Sequence, residues 1–309
     1  MSSSPTQNSE SKGIALITGA AQGIGRAIAL RLAADGFDVA VNDVLSKAAE
    51  LEKLKEEIIS AGRRSAALPA DVSVDAEVRS MVETVVTDLG GLDVVSFYLL
   101  PVRRFTQKSA DGGECWDMQG FRASLLEVEP DEWDQTFAIN VRGVFLCYKY
   151  AAKQMIAQGR GGRIIGACSG AGKQGYSEIP DYSSSKFAVR GLTQAAAKEF
   201  GKHCNGITVN AYAPGSVFTA LSAPFAAMTN MPQDEFWAMQ AKAAATGVNP
   251  TCENIASVVS FLASKEATFI TGQSLMVNVQ ISADGGRAVP FGVVGVGTVA
   301  VKPCNCDVD

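Results

Sequence analysis

Tyr182 and Lys186 stand four residues apart in Asp181-Tyr-Ser-Ser-Ser-Lys186, at the start of a segment of helical character running to about Phe200. At that spacing two side chains leave a helix on one face, a turn apart. A phenol has a pKa of about 10 and is a poor base at neutral pH. Bringing it to about 7 takes roughly 4 kcal/mol of preferential stabilisation of the phenolate, which an ammonium about 4 Å away supplies at an effective dielectric of about 20. Lysine at this spacing is adequate in magnitude for proton transfer. Ser169 closes the apolar run Ile164-Ile-Gly-Ala-Cys-Ser169, thirteen residues before Tyr182. A hydroxyl at the carboxyl end of a parallel strand faces the crevice where ligands bind, and can donate to a carbonyl oxygen that is becoming an alkoxide. Taken singly, Tyr-x-x-x-Lys is an ordinary surface pair; the chemistry lies in the combination.

A second cluster lies near the beginning of the chain. Thr18-Gly-Ala-Ala-Gln-Gly-Ile-Gly25 falls between an apolar β-branched run and a segment of helical period. Gly19 permits a tight turn, Gly23 lets backbone approach a pyrophosphate, and Gly25 allows close helix–strand packing. The following helix N-terminus offers free N–H groups to phosphate. Asp43 ends the next strand, 18 residues beyond Gly25. A carboxylate there accepts from a ribose 2′-hydroxyl and repels a 2′-phosphate, and neither position 22 nor the residues just after Asp43 bring a compensating cation. NAD is therefore favoured over NADP, with an ordinary turn residue as the other reading of Asp43. Asp71, before Val72, suits either an adenine contact or a helix N-cap.

Composition narrows the chemistry. The single histidine, His203, follows Lys198-Glu199-Phe200-Gly201, where a cation suits a helix C-terminus. One histidine excludes a multi-histidine metal site. The seven cysteines are scattered without a C-x-x-C pair, which fits free thiols in a reducing, cytoplasmic setting and no metal; Cys304 and Cys306 alone make a weak site. A net charge of −5 without a basic cluster argues against nucleic acid. No apolar run is long enough for a membrane span. Met1 to Lys12 is polar and reads as a disordered leader.

The elements that must position these residues alternate. Strands are expected at Ile14–Thr18, Val39–Val41, Ala66–Pro69, from Leu92 to Val95, at Arg163–Ile165 and at Ile207–Asn210, with helices over Ile24–Ala34, Ala48–Ala61, Val74–Leu89 and from Asp181 onward. Apolar strands spaced by helices indicate an α/β protein with a doubly wound, Rossmann-like parallel sheet in a single domain, 13–278.

Together, TGAAQGIG, the Ser-to-Tyr spacing, YSSSK, Asn140 within FAINVRG, and APGSVFT resemble the short-chain dehydrogenase/reductase family, over 12–95 and 121–278. The resemblance implies that Tyr182 is the general acid/base, that Ser169 polarises the carbonyl, and that Lys186 lowers the Tyr182 pKa and binds the nicotinamide ribose. Asn140 would hold a relay water linked to Lys186, the other reading being a buried helix polar residue. Gly19, Gln22, Gly23, Ile24 and Gly25, with Asp43, Asp71 and Val72, would bind the adenine and pyrophosphate end. Pro214, Gly215, Val217 and Thr219 would line the nicotinamide pocket. Hydride then passes directly between cofactor and carbonyl carbon, in a homo-oligomer, dimer or tetramer. The motifs look most like the diacetyl (acetoin) reductase and butanediol dehydrogenase branch, acting on a small carbonyl or alcohol; 3-oxoacyl and polyketide-type ketoreductases share the same machinery. Specificity is expected in 173–180 and in 220–247, where Phe225, Met228, Met231, Phe236, Trp237 and Met239 suggest an apolar lid or a plain amphipathic helix.

Two stretches depart from the pattern. The family's Asn-Asn-Ala-Gly after the fourth strand is replaced by Ser96-Phe-Tyr-Leu-Leu-Pro101, opening an unpatterned insertion over 96–120. The Asp-Gly-Gly expected after TGQSLMV gives way to Asn278-Val279 and an atypical tail, 279–309. Both read as translated intron sequence, a genuine lid or interface being the alternative. The insertion is expected to cost the fourth strand its end.

Overall fold

The computed structural model describes residues 10–98, 124–177, 179–203, 206–219, 231–244 and 246–277. The leader up to Ser9, the insertion beyond Tyr98, the tail, and Phe225 and Met228 lie outside the described residues, whereas Lys12, at the leader's end, donates its N–H to Gly36 O.

Seven parallel strands form one sheet: β1 Ile14–Thr18, β2 Asp38–Asp43, β3 Ser65–Pro69, β4 Val94–Phe97, β5 Gly162–Ala167, β6 Ile207–Pro214 and β7 Ser274–Val277. Their order is β3-β2-β1-β4-β5-β6-β7. Helices α1 Gly23–Asp35, α2 Ala48–Ser60, α3 Asp75–Leu89, α4 Pro130–Phe137, α5 Val144–Gln158, α6 Pro180–His203, α7 Gln233–Ala243 and α8 Cys252–Ala263 connect and cover it. The sheet is buried on both faces, so every residue of β1, β4 and β6 is enclosed, including Ser96, Thr208 and Asn210. One apolar layer gathers Val78, Val82, Tyr148, Met155 and Val189 from α3, α5 and α6. The other gathers Ile28, Leu32, Leu51, Val259 and Leu262 from α1, α2 and α8.

From β1 the chain winds outward to β2 and β3, then returns to place β4 on the other side of β1 and winds outward again to β7. The reversal between β1 and β4 opens a crevice at the strands' carboxyl ends, where ligands of such sheets bind. The expected architecture is thus present, with one correction to β4. This strand keeps its end: Phe97 pairs with Thr18 and Ser96 with both Ile17 and Ile165. The reason is burial. Ser96 and Phe97 are both fully enclosed, and the Phe97 ring lies 5.6 Å from that of Tyr148. A buried aromatic favours a pleated central strand as well as the expected motif would. The last strand, β7, carries no clear signal because three of its four residues are half-buried and Met276 is exposed. Within 220–247, α7 seats Phe236 and Trp237 in a small cluster with Met231 and Met239, so its described part is a helix with one packed face. His203 is the last residue of α6, and its side chain lies outside the described set.

Candidate active site

The glycine turn follows β1 directly. Gly19 and Gly23 have φ of 63° and 56°, in the left-handed region that a side chain disfavours. Gly25 has a different reason: a methyl group there would lie 2.1 Å from the Gly19 carbonyl oxygen, so only hydrogen lets α1 seat on the turn. Gln22 caps α1 without using its side chain, and the first turn carries no acidic residue. Its N–H groups and dipole therefore face the crevice ready for an anion. Ile24 anchors that turn in the core. This chain's residues fit the pyrophosphate of a dinucleotide.

Asp43 does more than the sequence showed. One carboxylate oxygen accepts from Ala21 N at 3.1 Å, the other from Val44 N at 2.9 Å. It thereby fastens the glycine turn to the end of β2 while keeping its negative charge at the crevice. Asp71 is exposed, and its carboxylate accepts from the backbone and hydroxyl of Ser73, so the turn-forming role is visible there. Val72 is buried in the core. Across the crevice, Pro214 ends β6, Gly215 N donates to Val277 O at 3.0 Å, and Val217 is buried. A methyl at Gly23 would meet the Thr219 methyl at 3.7 Å, so the segment after β6 closes over the glycine turn.

The three chemistry-bearing residues converge from β5 and α6. Ser169, 4% exposed, follows β5 and accepts from Ala171 N in a short 3₁₀ turn. The Tyr182 phenol is hydrogen-bonded to Ser169. Lys186, 1% exposed, donates to Ala167 O at 3.1 Å and lies 5.3 Å from the centre of the Tyr182 ring. Burial pushes the Tyr182 hydroxyl up to about 12, opposed by the Ser169 hydrogen bond, and pulls the Lys186 ammonium down to about 8. The downward shift expected for Tyr182 is therefore not what the structure shows. Desolvation dominates both groups, and Lys186 spends its hydrogen bond on the end of β5.

Asn140 lies fully buried in a π-helical turn, Ala138–Gly143, between α4 and α5. Its amide donates to Ser185 Oγ at 3.0 Å, and that hydroxyl donates to the Tyr182 carbonyl. Among the described residues the Asn140 side-chain oxygen, Oδ1, has no hydrogen-bond partner. An unsatisfied acceptor costs free energy unless a water meets it, so the geometry suits a held water.

Several positioning residues escaped the sequence reading. Asp181 is buried and accepts from Thr136 Oγ1 at 2.7 Å, tying the first turn of α6 to α4. A methyl at Gly172 would lie 2.4 Å from Cys168 Sγ and 2.7 Å from the Lys186 carbonyl, so the turn after Ser169 docks directly on α6. Beside Ser169, a methyl on Gly170 would meet Met276 at 3.2 Å and the Tyr176 hydroxyl at 3.8 Å, so these two side chains lie close to the turn that carries Ser169. Only contacts between distant segments reveal such residues.

Comparison with known proteins agrees with this geometry. The family model for short chain dehydrogenase matches residues 13–230. A short-chain dehydrogenase/reductase of Armillaria gallica is 46% identical over 271 residues, 88% of this chain and 96% of the relative. An L-2,3-butanediol dehydrogenase of Corynebacterium glutamicum is 35% identical over 269 residues, 86% of this chain and 96% of the relative. The crystal structure of a short chain dehydrogenase from Burkholderia cenocepacia in complex with NADP superposes with a TM-score of 0.70 at 32% identity, covering 85% of this chain and 95% of that one. The chain belongs to the short-chain dehydrogenase/reductase family, whose members are NAD(P)-dependent oxidoreductases acting on CH–OH groups.

Proposed function

We propose that this protein interconverts a small ketone and its secondary alcohol, of the diacetyl, acetoin and butanediol type, with NAD(H) as its hydride carrier. The observation that carries the reading is the hydrogen-bonded pair of Ser169 and Tyr182, set over a buried Lys186 at the carboxyl end of β5. A bound nicotinamide supplies the hydride in reduction and accepts it in oxidation. Ser169 donates to the carbonyl oxygen and steadies the negative charge that develops on it. Tyr182, neutral at pH 7 because burial raises its pKa, holds the proton that this oxygen takes up. Lys186 then faces the phenolate, and its positive charge limits the cost of forming it. Asn140, through Ser185, connects the base of the site to a water that returns the proton.

The Asp43 charge beside the glycine turn supports NAD over NADP, since a 2′-phosphate would meet a carboxylate already held in place by two backbone N–H groups. The butanediol dehydrogenase likeness supports a short, polar substrate, and Tyr176 and Met276 lie close to the turn that carries Ser169. A reducing, cytoplasmic setting and a homo-oligomer belong to the same reading. The test is a panel of diacetyl, acetoin and longer 3-oxo esters, offered with NADH and with NADPH to the purified full chain. The reading predicts fastest NADH oxidation with diacetyl or acetoin. NADH binding without turnover on any member of the panel would overturn it.

A further inference from the structure

Tyr98 is the residue that the site described above leaves without a task. It stands directly after β4, where its backbone N–H donates to the Thr18 carbonyl at 3.3 Å. Its own carbonyl oxygen lies against Gly19: a methyl on that glycine would come within 1.9 Å of it and 3.5 Å of the Tyr98 Cβ. Tyr98 is thus seated on the first glycine of the turn.

Strand alternation fixes where its ring goes. Val95 and Phe97 face the α3/α5/α6 layer, whereas Val94 faces the α1/α8 layer, so Tyr98 points to the α1/α8 side at the open end of the sheet. Its ring packs against the cluster that includes Ala20, Ala21, Ile24 and Val217. Those residues belong to the glycine turn and to the segment after β6, which are the two walls of the crevice. The ring also lies within electrostatic reach of Tyr182 on the far side and of Cys252 at the start of α8. Tyr98 is therefore seated on the glycine turn and close enough to the phenol of the chemistry to interact with it. A dinucleotide whose pyrophosphate lies on α1 and whose reactive ring lies beside Tyr182 must cross the same space.

We propose that the Tyr98 ring occupies crevice space that the nicotinamide half of a dinucleotide requires, so that the full cofactor binds only by displacing it, while the adenine half binds unhindered. This rests on the NAD(H) reading given above. Displacing a packed aromatic side chain exposes apolar surface, and that penalty is subtracted from cofactor affinity. In this way β4 keeps its pairing through a buried Phe97 while the next residue weakens the site beside it.

The test compares the full-length wild type with Tyr98→Asn, Tyr98→Ala and Tyr98→Phe, titrating NADH and, separately, AMP by calorimetry. Melting curves establish that each variant is folded. The expected result is that Asn and Ala tighten NADH by about tenfold or more, leave AMP unchanged, and that Phe, which keeps the ring, binds NADH as the wild type does. Weaker or unchanged NADH binding by the Asn and Ala variants would overturn the proposal, the first result making the ring a stacking platform. Should Asn and Ala fail to fold, Tyr98→Leu takes their place with the same expectation. Failure of the wild type to bind AMP would overturn the dinucleotide reading itself, and the proposal with it.

Discussion

At the carboxyl edge of β1, among the described residues, the glycine turn is met by backbone and by the short side chains of Asp43 and Thr219. At the adjoining edge of β4 a tyrosine, Tyr98, lies against Gly19 and packs its ring on the α1/α8 layer. The two edges share a sheet, an equal depth of burial and continuous pairing through Thr18 and Phe97. What separates them is side-chain volume. The comparison teaches that fold integrity and site integrity answer to different residues: Phe97, turned inward, preserves the strand, whereas Tyr98, turned to the crevice, alters what can lie there. The machinery sits on β5 and α6, where Ser169 accepts from Ala171 N, Lys186 donates to Ala167 O, and Tyr182 is hydrogen-bonded to Ser169.

If the chemical side is intact as built, removing one of its groups has the largest effect. Ser169→Ala is expected to lower kcat for ketone reduction by about 10²–10³ while leaving NADH affinity unchanged, since a preorganised donor acts on the charge formed in the transition state. Stopped-flow kinetics and calorimetry read the two quantities. A fall in NADH affinity equal to the fall in rate would break the separation between the halves.

The adenine side is tested at Asp43. Asp43→Asn removes the negative charge and keeps only one of the two acceptors that serve Ala21 N and Val44 N, since the amide nitrogen is a donor. The preference in kcat/KM for NADH over NADPH is expected to shrink by about tenfold. An unchanged ratio would remove Asp43 from cofactor choice and leave it as the fastening of the turn.

The glycine turn, Asp43, Ser169, Tyr182, Lys186 and Asn140 were legible in the sequence because each is a local signal: a motif of fixed spacing, or a polar residue at the end of an apolar run. The sheet was legible because strands buried on both faces are mostly apolar. What was not legible depends on pairs distant in sequence. Asp181 with Thr136, Gly172 against Lys186, and Tyr98 against Gly19 are separated by 45, 14 and 79 residues. The direction of the Tyr182 shift was misjudged for a related reason. Spacing gives the distance to Lys186, but the desolvation that outweighs it comes from the whole surround.

Two effects follow from burial of the pair. Alcohol oxidation needs the phenolate, and Tyr182 is held near 12, so kcat for butanediol oxidation is expected to climb about tenfold per pH unit between about pH 6 and about pH 8, while ketone reduction, which uses the neutral phenol, stays level. Parallel pH profiles in the two directions would contradict that assignment. For Lys186 the folded pKa is about 8, below its ordinary 10.5, so the folded state binds fewer protons than the unfolded chain between those values. Stability then rises with pH across that window, and below it the buried charge carries a penalty. Lys186→Met removes this penalty: melting at pH 7 is expected to rise by a few degrees, corresponding to roughly 2 kcal/mol, although turnover is lost. A lower melting temperature would show that the bond to Ala167 O outweighs the desolvation.

The most direct measurement of the central claim is NADH consumption with diacetyl by the purified full-length chain, side by side with Tyr182→Phe, which keeps the ring and removes only the hydroxyl. The account predicts turnover in the wild type and a loss of about 10²–10⁴ in the variant with NADH binding intact. Equal turnover in the two proteins would contradict it.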